Sequence, residues 1–295
     1  MLVPVLTIVS ATAIAGWAPD QWFTVGALLV LLWLLFRGLV RLSGTTLTAA
    51  CLWALISTLS LALVAFRANF PGTMPSVGLS VLRFAAVATT LCPLMAVLGA
   101  KRPQDKGWQW VVVTLWIVLV WPAGQAVLLR SGNLELFIAW KLFLAGLVAI
   151  GLLNYLPTRF WLASLLVALG QIVLLSEYLG SIPMDATRWL LPIGVGSFLS
   201  AAGMVTWQCR RMTPPAGGDS HSLATTTRQW QKFRDAYGAF WALRILGRAN
   251  QTAELRDWPM RLTWTGFNLL GELEPTAEQL AELDQTMATL LRRFT

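Results

Sequence analysis

Residues 134–179 read LELFIAWKLFLAGLVAIGLLNYLPTRFWLASLLVALGQIVLLSEYL. Two long apolar runs are joined there by a turn at Leu156-Pro157-Thr158-Arg159. A hydrocarbon core about 30 Å thick is crossed by about 20 helical residues at a rise of about 1.5 Å each, so either run is long enough to span it. Comparable runs lie upstream at 2–17, 22–40, 46–66, 79–99 and 109–129, and downstream at 189–207. The chain therefore reads as an all-α polytopic membrane protein. A bundle of about eight transmembrane helices fills residues 1–208, a flexible linker 209–227, and a small soluble α or α+β domain 228–295.

Composition agrees. Hydrophobic residues make up 56% of the chain and charged residues 12%, with a mean hydropathy of +0.63. Soluble domains carry about 25% charged residues. The run at 2–17 is short and ends in Ala13, Ala15 and Gly16, as a signal peptide can. No Lys or Arg precedes it, and a signal peptide needs a positive start, so it reads as an uncleaved first span.

The net charge of +8 is spread over short loops, which excludes a concentrated nucleic-acid surface. It alternates between loops. Arg37, Arg41, Lys101, Arg102, Lys106, Arg159, Arg210 and Arg211 fall on one set of helix ends, and Arg67, Arg130 and Arg188 on the other. Basic loops stay inside, so both termini are expected on the cytoplasmic side of a cell (inner or plasma) membrane.

The three cysteines, Cys51, Cys92 and Cys209, form no CxxC pair, and the single histidine, His221, lies in the linker. Haem ligation and zinc chemistry both need more than that within a bundle. No cofactor or metal is expected. P-loop, GxGxxG and nucleophile-elbow patterns are absent, so the chain leans away from an enzyme.

Ionisable residues inside spans are costly and mark candidate sites. They are Arg83, Glu135, Lys141 and Glu177, with Gln171 as neutral company. Counting from the turn at Leu156 places Lys141 level with Gln171, and Glu135 level with Glu177. Side chains lean toward their own helix N-terminus, which brings Lys141 and Glu177 together. The expectation is a Lys141–Glu177 pair, serving either as a structural seam or as a polar pocket for a substrate, lipid headgroup or proton. Arg83 reads as a snorkelling residue near a helix end. Ser164, Gln171 and Tyr178 recur every seven residues as one polar stripe. Pro93, Pro122 and Pro192 lie inside spans and can kink them. Gly194, Gly196, Ser197, Ser200, Ala201 and Gly203 suit the last span to packing on protein.

In the tail, a helix over about 228–249 presents Trp230, Phe233, Tyr237, Phe240 and Trp241. Met260–Thr265 alternates as a short strand would, and a final helix runs over about 275–293. The aromatic face is larger than so small a domain easily buries alone. It is expected to dock a protein partner or the chain's own membrane domain.

Three functions fit: a non-catalytic accessory, scaffold or assembly subunit whose tail binds a partner; a transporter or channel with a polar site around Lys141 and Glu177; or a lipid-acting membrane enzyme. The orientation is directly testable. In a cysteine-free background, an impermeant thiol reagent should label a cysteine at residue 185 from outside intact cells and leave one at residue 103 untouched; the reverse pattern overturns it.

Overall fold

The computed structural model describes residues 18–68, 76–129, 134, 136–180, 184–211, 223–271 and 275–294, with only the backbone at 76, 77 and 184–186. The run at 2–17, Glu135 and His221 lie outside the described residues.

The helices are α1 (Pro19–Leu42), α2 (Thr48–Ala68), α3 (Ser76–Thr89), α4 (Cys92–Leu98), α5 (Asp105–Leu128), α6 (Ile138–Tyr155), α7 (Trp161–Leu179) and α8 (Met184–Arg210). The tail holds α9 (Leu223–Leu255), the antiparallel strands β1 (Met260–Leu262) and β2 (Phe267–Leu269), and α10 (Ala277–Leu291). Counting α3 and α4 as one, seven described helices are long and apolar enough to cross a membrane.

The helices up to α8 form one bundle. α1 packs on α2 and α8, α7 on α6 and α8, and α3 on α2, α5 and α7. Leu28, Leu61, Phe84, Leu91, Leu119, Leu144 and Leu175 meet at its centre. Its outside is equally apolar: Leu29 (62% exposed), Phe36, Ile117, Leu142 and Leu153 all face outward. Close contact between α7 and α8 depends on small residues. A Cβ on Gly170 would collide with Phe198, and one on Gly194 with Leu174. Ser200, by contrast, points outward from α8.

Proline effects differ by position. α5 and α8 run unbroken through Pro122 and Pro192. At Pro93 the span breaks into α3 and α4, with a turn at Thr90 and Leu91. Proline has no N–H to give the carbonyl four residues back, and its ring crowds that carbonyl. Here that carbonyl belongs to Thr89. The Ser57 hydroxyl donates to it at 2.7 Å, and the Gln171 amide donates to the next carbonyl, Thr90, at 3.0 Å. Trp116 Nε1 donates to the Thr89 hydroxyl at 2.9 Å. The break is thus sealed by side chains from α2, α5 and α7.

The tail differs from its sequence reading in two boundaries. α9 begins at Leu223, inside the expected linker, because Thr226 bonds Asp284 and the Thr227 hydroxyl accepts from the Phe267 amide at 3.2 Å. A second strand, Phe267–Leu269, pairs with the expected one to make a hairpin. Met260 and Leu262 point inward and Arg261 outward. α10 opens on a capping box, with Thr276 and Gln279 satisfying each other's amides.

Ser57→Ala should leave the Thr89 carbonyl without its donor in an apolar setting, at a cost of about 1–3 kcal/mol. Thermal unfolding in detergent reads it: the variant should melt below wild type, while Ser60→Ala, which removes an exposed hydroxyl, should not.

Candidate functional site

Two polar constellations stand out. The first lies at the bundle end away from the tail. Glu177 pairs there with Arg83, not Lys141: Arg83 Nη1 donates to both Glu177 oxygens at 3.1 Å. The pair joins α7 to α3, with side chains 27% and 22% exposed. Beside it the Tyr178 hydroxyl donates to the Ser80 carbonyl at 3.3 Å, and its ring meets Phe84 edge-on at 5.0 Å.

Lys141 sits nearer the helix end than its sequence position suggests. α6 starts at Ile138 with Phe137 as an extended N-cap, so Lys141 lies in the first turn. Its amine donates to the Leu179 carbonyl at 3.2 Å. That carbonyl ends α7, where helix carbonyls lack partners and the helix dipole favours a cation. Gln171 is a full layer deeper, on the Pro93 break. Arg83, Glu177, Tyr178 and Lys141 therefore share one end of the bundle, and Gln171 belongs to its middle.

The second constellation is the seam between bundle and tail. Trp230, Phe233, Tyr237 and Trp241 are buried, and only Phe240, at 45%, is exposed. The face is covered from within the chain. Phe233 stacks on Tyr237 at 4.8 Å, and Phe294 meets Phe233, Tyr237 and Trp241 edge-on at 4.8, 4.9 and 5.2 Å. Leu47 and Ala100, from loops of the bundle, complete the same core. As a surface for a separate protein, four of these five aromatics are already occupied.

Hydrogen bonds weld the seam. Trp241 Nε1 donates to the Val97 carbonyl at the end of α4 (2.9 Å), and Trp264 Nε1 to the Pro157 carbonyl (2.8 Å). The Tyr155 hydroxyl donates to Ala236 (3.1 Å), and the Phe240 amide to Asn154 Oδ1 (3.0 Å). The Phe294 carbonyl accepts from the Tyr237 hydroxyl (2.8 Å) and from the Thr46 amide (3.1 Å). Burial pushes the Tyr237 phenol above its ordinary range, partly offset by the Thr46 hydroxyl and the Arg102 charge. It therefore remains a protonated donor at neutral pH.

Asp235 is the buried charge of the seam. Arg234 binds its Oδ1 at 2.9 Å, and Arg159, from the α6–α7 turn, approaches its Oδ2 at 3.4 Å. Directly after it α9 bends at Gly238, whose φ of 76° suits glycine; a Cβ there would strike the Asn154 amide. Four of the seam's acceptors, the carbonyls of Val97, Pro157, Ala236 and Phe294, are backbone groups with no side-chain signature in the sequence.

No group of three or more metal-ligating residues occurs among the described residues. The chain matches no family model, and no curated protein or solved structure is significantly similar to it.

A mutant cycle separates the two partners available to Glu177. Arg83→Met and Glu177→Gln should couple by roughly 0.5–3 kcal/mol in thermal unfolding, with the double variant losing less than the sum. Lys141→Met and Glu177→Gln should add. Coupling confined to the Lys141 cycle would reverse the assignment.

Proposed function

We propose that the chain is a non-catalytic scaffold or assembly subunit of a membrane complex. In this reading an eight-span bundle, the run at 2–17 included, sits in the cell membrane and holds the tail rigidly at its cytoplasmic face. The observation that carries the reading is the weld. Five side chains, Trp241, Trp264, Tyr155, Asn154 and Thr46, and a common aromatic core join tail to bundle, so the tail is presented at a fixed height and angle. A fixed platform suits assembly, because a preorganised surface loses little entropy on binding.

The tail also retains a surface for a partner. Leu255, Leu269 and Leu270 are exposed at its hairpin end, where Leu255 closes α9 and the Leu270 amide donates to Pro259 at 2.7 Å. These leucines sit at the open end of the hairpin, whose turn is held on the bundle by Trp264. Intramembrane charges among the described residues support the same reading, since they have structural work: Arg83 and Glu177 hold α3 to α7, and Lys141 closes the end of α7.

A transporter is the second reading. Its supporting observation is the broken span at Thr90–Leu91, because discontinuous helices line the sites of many transporters. Against it, the two carbonyls freed by the break already have donors in Ser57 and Gln171.

Purification in mild detergent distinguishes them. A stoichiometric protein partner that Leu269→Ser with Leu270→Ser removes, leaving the melting temperature unchanged, is the expected result. A monodisperse protein with no partner that moves solute across liposomes, and loses flux with Glu177→Gln, would overturn the scaffold reading.

A further inference from the structure

The second half of α9 carries a stripe that the seam leaves uncovered. Beyond Gly238, residues Phe240, Leu243, Arg244, Gly247 and Arg248 fall at i, i+3, i+4, i+7 and i+8, which is one face of a helix. The opposite face, with Trp241, Ile245 and Ala249, is core. On the open face Phe240 is 45% and Leu243 58% exposed, and both arginines are exposed. A Cβ on Gly247 would meet nothing within 4 Å.

Two hydrogen bonds set the height of this stripe. The Phe240 amide is tied to Asn154 in the last turn of α6, and the Trp241 indole to Val97 in the last turn of α4. Ile150 and Leu153, just inside the end of α6, face outward. The apolar part of the stripe thus continues the apolar outside of the bundle at the level where the helices end.

Cations gather just beyond it. The Arg102 amide donates to the Arg293 carbonyl at 2.8 Å, which brings the end of α10 beside the α4–α5 loop. Loss of solvent, and then the charges of Arg293, Arg248 and Arg244, hold the Lys101 amine below the ordinary lysine range. Elsewhere in the tail three arginines have carboxylates: Arg234 has Asp235, Arg256 has Glu282 and Arg261 has Glu254. Among the described residues, none stands in an ion pair with Lys101, Arg244, Arg248 or Arg293.

We propose that this stripe binds the headgroups of anionic phospholipids, with Phe240 and Leu243 at the acyl boundary and Lys101, Arg244, Arg248 and Arg293 around the phosphate. The order of chemistry matches that of a leaflet: exposed hydrocarbon at the helix ends, then uncompensated positive charge one step outward. A bound phosphate also relieves the mutual repulsion of the four cations. An acidic protein segment would satisfy the charges, but not the two apolar side chains placed at the level of the helix ends.

The full-length protein in nanodiscs tests this. Lipid retained after brief detergent extraction is counted by native mass spectrometry, from discs of phosphatidylcholine mixed with phosphatidylglycerol. Wild type should be enriched in phosphatidylglycerol. Arg244→Gln with Arg248→Gln should reduce that enrichment roughly fivefold for each charge removed. Arg188→Gln, at the opposite end of the bundle, should leave it unchanged. Melting in phosphatidylcholine alone checks folding, which exposed substitutions should preserve. The proposal falls if the double variant keeps its enrichment, or if Arg188→Gln loses as much. It also falls if soluble glycerol phosphate displaces the lipid at equal concentration, which would mark a free-anion site. Loss of a co-purified protein with lipid enrichment intact would make the stripe a protein surface instead.

Discussion

A carbonyl at the end or break of a helix, surrounded by hydrocarbon, has no water to turn to, and leaving it unpaired costs free energy comparable to a lost hydrogen bond. In this chain the missing donors come from side chains on other elements. Ser57 and Gln171 serve Thr89 and Thr90 at the Pro93 break, and Lys141 serves Leu179 at the end of α7. Trp108 and Trp241 serve Met95 and Val97 in short α4, and Trp264 serves Pro157. Each bond satisfies a carbonyl at or near a helix end or break and fixes a second element against it. Local backbone chemistry thereby sets the tertiary arrangement, because an interrupted helix is tolerated only where a neighbour brings a donor.

This gives the many tryptophans a second role besides area. An indole is a large apolar body with a single donor, so it fills space and closes one carbonyl without leaving another polar atom to satisfy. Trp53, Trp116, Trp230 and Trp258 likewise find acceptors, in Gln109, Thr89, Trp264 and Glu282. Gly99 has the matching requirement: it leaves room for the Trp108 ring to lie against the backbone, where a Cβ would collide with it.

Hydrophobic runs made the long helices legible in the sequence, since length and apolar content are local properties; α1, α2, α5 and α7 lie within a few residues of their expected bounds. Pairing was less legible. Counting along one hairpin pairs Lys141 with Glu177, which presumes that partners lie on consecutive helices. Glu177 instead faces α3, and a carbonyl with no side-chain signature takes the lysine. Because α6 starts at Ile138 and not at 134, Lys141 lies near the helix end, and the extended Phe137 that sets this start carries no sequence signal for it. The aromatic face of α9 was visible as a pattern. What covered it was not, because Phe294, Leu47 and Ala100 are distant in sequence and ordinary in type.

The Thr46 hydroxyl lies 3.1 Å from the Phe294 carbonyl, across a sequence separation of 248 residues. On a ribosome, the loop carrying Thr46 emerges long before its partner exists. The bundle has every helix it needs before α10 is made, whereas the core of the tail remains open until Phe294 arrives. Closure of the seam therefore waits on Phe294, and the interval before it is when Trp230, Phe233, Tyr237 and Trp241 lack the ring that covers them. Quality control that recognises exposed aromatic surface would act in that interval, and the seating of one phenylalanine would end it.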